Sequence, residues 1–185
     1  MARLFSIKPG ITLRGRKFKG IRGFAGKPFH PPLTDIPVAA YVIAAVFDVL
    51  SFLASDGSKA AETLHKSATL VFIAGFIVSI PTALTGFWDW LKSTQKHTQA
   101  RRTANWHMTV MLTVTVLVLV DIVARRGHDF SGPRITILSI IIGGLVSFGA
   151  TYGGSLVYDY GFNVETSGDH PVWHESETDV FPGDH

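Results

Sequence analysis

An all-α polytopic membrane protein, with four transmembrane helices in a bundle and polar N- and C-terminal tails, is the fold class this sequence predicts. Three observations predict it. The chain is 46% hydrophobic and only 17% charged, against about 25% charge in an ordinary soluble domain. Its apolar residues gather into four stretches, each close to the roughly 20 helical residues that a hydrocarbon core about 30 Å thick requires. The remaining charges fall almost wholly between and beyond those stretches.

The first helix is expected near residues 35–54, with Thr34 or Asp35 as its N-cap and Pro37 in its first turn, where a missing N–H costs little. It follows a long polar segment and no small-residue cleavage site lies beyond it, so it is expected to stay in the membrane rather than to act as a signal peptide. The second is expected near residues 64–90. Pro81 in its interior withdraws the donor for the Ile77 carbonyl and predicts a kink, with Thr82 and Thr85 nearby to serve the weakened place. The third, near residues 104–124, opens on Trp106 and His107 and carries Asp121 toward its far end. The fourth, near residues 135–158, starts behind Pro133 and carries Ser139, Gly143, Ser147, Thr151 and Ser155 at four-residue spacing, with Gly149 and Gly153 as a GxxxG pair on an adjacent face. Small residues let helices approach closely in lipid. The ridge is therefore expected to pack within the bundle, with a homodimer contact as the alternative.

The helices define a membrane domain over residues 30–160, flanked by a tail over residues 1–29 and another over 161–185. From Met1 to Lys27 there are eight Lys and Arg and no acid, and the connection between the second and third helices adds Lys92, Lys96, Arg101 and Arg102. With four spans these segments share a side, twelve positive residues against five on the other, so both termini are expected in the cytoplasm. Arg125 and Arg126 argue mildly the other way. The basic tail is expected to lie on anionic lipid headgroups rather than on nucleic acid. The chain from Asp159 to His185 holds seven acids and no Lys or Arg, the composition of a solvated tail.

Function is sought among polar groups in apolar places, because ionisable residues inside a span mostly face the bundle interior, a partner or a water-filled path. Counting depth along each span sorts them into two layers. His30, Asp35, Asp89, His107, Tyr158 and Asp159 fall on the side of the termini; Asp48, His65 and Asp121 fall toward the other. His107 and Asp121 are 14 positions apart, which places them on one helix face about 21 Å apart. The chain has no cysteine, which excludes disulfides, thiolate metal sites, covalent c-type haem and cysteine-held iron–sulfur clusters. It also has no P-loop, no GxSxG elbow and no HExxH.

The strings HPPLTDIPVAAYVIAAVFDVLS, TGFWDW, ANWHMTV and GGSLVYDYG, spaced along four hydrophobic helices, resemble the bacterial membrane proteins of the domain-of-unknown-function 2231 family. The likeness runs from Phe29 to about Phe162. It rests on His30, Pro31 and Pro37 at the entry of the first helix, Asp48 late in it, Gly86 and Asp89 at the end of the second, His107 opening the third, and Gly153, Gly154, Leu156, Val157 and Tyr158 closing the fourth. The resemblance implies a multi-pass protein of the bacterial inner membrane. It implies no activity, although some relatives joined to a Rieske domain suggest a redox setting.

Three functional readings follow. In the first, His30 and His107, from different segments at one depth, ligate a b-type haem between helices, with His65 in a second site; a single metal ion on His30, His107 and Asp35 or Asp89 is its other form. In the second, Asp48, His65 and Asp121 carry protons or ions. In the third, the protein is an accessory or scaffolding subunit of a larger membrane complex, and the polar residues only pin helix register.

Overall fold

The computed structural model describes residue 21, residues 28–54 and residues 57–162. The expectations for the basic tail, apart from Ile21 and residues 28–29, and for the acidic tail beyond residue 162 lie outside the described residues. Among the described residues four α-helices follow one another: α1 (His30–Leu53), α2 (Lys59–Ser93), α3 (Gln99–Ala124) and α4 (Pro133–Tyr158). All four are long and apolar enough to cross a membrane.

Helix α1 starts at His30 rather than near residue 35. Pro31 and Pro32 occupy its first turn, where N–H groups have no intrahelical partner to lose. Asp35 is exposed on the second turn and caps nothing, and Thr34 instead donates its hydroxyl to the Pro31 carbonyl at 2.6 Å. Pro37 thereby becomes an interior residue. Helix α2 is likewise longer than the expected 64–90. Ser58 caps it, accepting from the Ala61 N–H at 3.1 Å, and Glu62 stands in its first turn, where the helix dipole favours a negative charge. Its 35 residues span about 52 Å, so it projects beyond the apolar core. Helix α3 begins at Gln99, earlier than the expected 104, behind a Thr98 cap that accepts from the Arg101 N–H, and α4 begins at Pro133, ahead of the expected 135.

The helices form a square bundle. Helices α1 and α3 each pack along α2 and α4, while the diagonal pairs do not pack against one another. The outer faces carry exposed Leu53, Leu70, Leu84, Val116 and Ile137, which suits contact with lipid chains. The middle of the bundle is apolar: Tyr41, Ala44, Ala68, Phe72, Val114, Val118, Ile142 and Val146 form its core. Gly75 is what lets α1 and α2 approach, since a Cβ there would stand 2.7 Å from Tyr41 Cε1.

The small residues of α4 divide between two environments. Ser139 is buried, and Gly143 packs against Ala45 of α1. Ser147 and Thr151 are exposed and donate to carbonyls of their own helix. Gly149 and Gly153 face Met111 and His107 of α3, so the GxxxG pair packs within the bundle.

Candidate functional site

Polar side chains meet on the bundle axis at two levels, one above and one below the apolar core. At the end carrying the chain termini the two diagonal helices each contribute a histidine. His30 opens α1 and His107 lies in the third turn of α3, and their rings come within 6.5 Å centre to centre at an interplanar angle of 81°.

Both rings are held in the same way. His30 Nδ1 is 3.0 Å from the Thr82 carbonyl of α2, with the Thr85 hydroxyl at 3.4 Å; His107 Nδ1 is 2.9 Å from the Gly149 carbonyl of α4. A carbonyl oxygen only accepts, so each Nδ1 carries a hydrogen and donates it. In the neutral ring this leaves Nε2 with its lone pair, the form in which histidine binds a metal. One turn beyond each accepting carbonyl stands a glycine against which the ring lies. A Cβ at Gly86 would be 2.5 Å from His30 Cε1, and one at Gly153 would be 3.1 Å from His107 Cε1. The hairpins α1–α2 and α3–α4 thus build one device twice: a histidine on the first helix, and a carbonyl and a glycine four residues apart on the second.

The other residues expected at this level do not join the pair. Asp35 is exposed, as are Tyr158 and Asp159. Asp89 is buried, but its Oδ1 accepts from the Ile21 N–H at 3.2 Å and its Oδ2 has no partner among the described residues. Among the described residues no group of three or more His, Asp or Glu is placed to hold a metal ion.

At the opposite end Asp48, His65 and Asp121 come together around a residue that the sequence reading counted only as a loop charge. Arg125, directly after α3, folds back into the bundle and is 3% exposed. Its Nη1 donates to Asp48 Oδ1 at 3.0 Å and its Nη2 to Asp48 Oδ2, a two-pronged pairing, while Nε donates to Asp121 Oδ2 one turn earlier. Phe72 of α2 lies under the guanidinium, 4.7 Å from ring centre to Cζ. Burial opposes the charge of Arg125, and its hydrogen bonds to Asp48 and Asp121 offset that cost.

Asp48 receives two further donors, Ser131 Oγ on Oδ1 at 2.6 Å and Ser139 Oγ on Oδ2. Four donors thus stand at its carboxylate, two on each oxygen, with the single Ser139 hydrogen shared between Asp48 Oδ2 and the Ile135 carbonyl at 2.9 Å. Because Ser131 spends its hydroxyl hydrogen on Asp48, it accepts from His65 Nδ1 at 2.8 Å. The Ser131 N–H donates to Ser51 Oγ at 3.2 Å, and Ser51 Oγ donates to the Ala61 carbonyl at 2.8 Å. One connected network thus ties together α1, α2, α4, the end of α3 and the α3–α4 connection.

Two parts of this site had a partial signal in the sequence. The i, i+4 spacing of Asp121 and Arg125 marks a helical ion pair, and the small ridge of α4 includes Ser139. Ser131 and the two accepting carbonyls had none, because a loop serine and a backbone oxygen look alike wherever they stand.

Four apolar spans around buried polar layers define an integral membrane protein of the multi-pass α-helical class. The chain belongs to the family described as "Predicted membrane protein (DUF2231)", whose model matches residues 26–166. No curated protein and no solved structure matches it.

Proposed function

We propose that the protein is a haem-binding membrane protein in which the imidazoles of His30 in α1 and His107 in α3 would hold the haem iron. The observation that carries this reading is the fixed tautomer of both rings, each with Nδ1 committed to a backbone carbonyl, together with their separation. An imidazole bound through Nε2 at about 2.0–2.1 Å has its centre about 3.2 Å from the metal. The 6.5 Å between the ring centres would accommodate one metal atom held by both imidazoles. Thr82 and Thr85 beside His30, and Thr103 and Ala104 one turn before His107, are buried.

The residues' own contribution is positional. The Thr82 and Gly149 carbonyls orient the rings and raise their basicity, and Gly86 and Gly153 give them room. A haem held in this way supplies one-electron redox chemistry. His65, hydrogen-bonded to Ser131 in the other layer, does not serve this pair.

Absorption spectroscopy of the detergent-purified protein tests the reading. A Soret band that shifts on reduction, and that is lost in both His30→Ala and His107→Ala, is the expected result. Protein that shows no such band even after incubation with haemin overturns it and leaves the accessory-subunit reading.

A further inference from the structure

The second polar layer holds more carboxylate than guanidinium. Asp48 and Asp121 are both fully buried, and among the described residues Arg125 is the arginine between them and His65, 2% exposed, is the remaining titratable group in the layer. With both carboxylates ionised and His65 neutral, the layer would carry one uncompensated negative charge in the apolar interior, which is costly. One bound proton removes it.

The geometry distinguishes the two aspartates. Asp48 accepts from four donors, two on each oxygen, and is complementary to a carboxylate. Asp121 accepts only from Arg125 Nε, on Oδ2. Its Oδ1 is buried and has no hydrogen-bond partner among the described residues. An ionised oxygen in that position would be a bare buried charge, whereas a protonated one is a neutral hydroxyl. His65 already donates its Nδ1–H to Ser131, and the same Nδ1 lies 3.8 Å from Asp48 Oδ1, beyond hydrogen-bond distance.

We propose that this layer is a proton-binding site in which Asp121 Oδ1 holds one proton while Asp48 stays ionised as the partner of Arg125. Two carboxylates bound to one guanidinium thus take different roles because their surroundings differ. This assignment is independent of whether the histidine pair binds a cofactor.

Infrared difference spectroscopy of the full-length protein in detergent, with isotope-labelled aspartate, reads the proton directly. The expected result is a carbonyl stretch of a protonated carboxyl that shifts with the label and is absent in Asp121→Asn; it is also lost in Asp48→Asn, where Asp121 is left as the partner of Arg125 and gives up its proton. Thermal unfolding gives a second measure: Asp121→Asn, which mimics the neutral acid, should melt close to the wild type, whereas Asp48→Asn should melt well below it. If Asp48→Asn does not yield folded protein, the labelled wild type and Asp121→Asn still decide the matter. A wild type with no protonated carboxyl band, a band that survives in Asp121→Asn, an Asp121→Asn that melts as far below the wild type as Asp48→Asn, or a nitrogen NMR signature of doubly protonated His65 would overturn the proposal.

Discussion

At the scale of single residues, Arg125 carries the largest consequence. It lies one helical turn beyond Asp121 and reaches Asp48, 77 positions away in sequence. Removing one partner of a buried ion pair leaves the other charge uncompensated, at a cost of about 3–5 kcal/mol. Arg125→Met should therefore destabilise the bundle by roughly that amount in denaturant titrations. The double variant Arg125→Met/Asp48→Leu should recover most of the loss, because it removes the bare charge as well as the pair. Gly86 is the second residue to test. Alanine there would place a Cβ 2.5 Å from His30 Cε1, against 3.1 Å for the matching change at Gly153. Gly86→Ala is accordingly expected to displace its histidine and weaken haemin uptake more than Gly153→Ala does, as read by the Soret titration. Equal effects would show that ring position does not govern the site.

At the scale of elements, the helix starts are set by caps and prolines and the helix cores by apolar length. The Ser58 cap carries α2 out past the apolar run to Lys59. Ser58→Ala should cost about 1 kcal/mol and should speed amide exchange over Lys59–Glu62, leaving exchange near Phe72 unchanged. The start of α1 taught the opposite lesson. Thr34, Asp35 and Pro37 form a plausible cap-and-proline start, but Pro31 and Pro32 begin the helix earlier. Two such starts are locally alike, and what distinguishes them is His30, whose ring is already bound to the Thr82 carbonyl of the neighbouring helix. The depth sorting into two layers needed only the rise per residue, which is why it was legible in the sequence. Asp35 joined the wrong company because its depth was right and its direction around the helix was not.

At the scale of the whole molecule, the bundle is two hairpins that meet through both polar layers and the apolar core between them. His30 meets His107 across the axis at one end, and Asp48 meets Arg125 at the other. The connection over residues 94–98 joins the hairpins and carries neither layer. Co-expressed fragments divided in that connection are expected to co-purify as a bundle, and Arg125→Met in the second fragment should sharply reduce the yield of the complex. Unimpaired assembly of that variant would show that apolar packing alone joins the hairpins.

The sequence by itself determined the number of spans, their order and the depth of the ionisable groups within them. Lipid leaves the backbone no partner but its own helix, so long apolar runs become spanning helices whatever their neighbours. Only the tertiary structure decided that Arg125 turns inward, that Ser131 and Ser139 complete Asp48, that Asp121 Oδ1 is left without a donor and that two histidines face each other with Nδ1 fixed. Those outcomes depend on how four helices are rotated against one another and on which backbone carbonyls they present. That information is spread over the packing of all four helices and is not written at any one position.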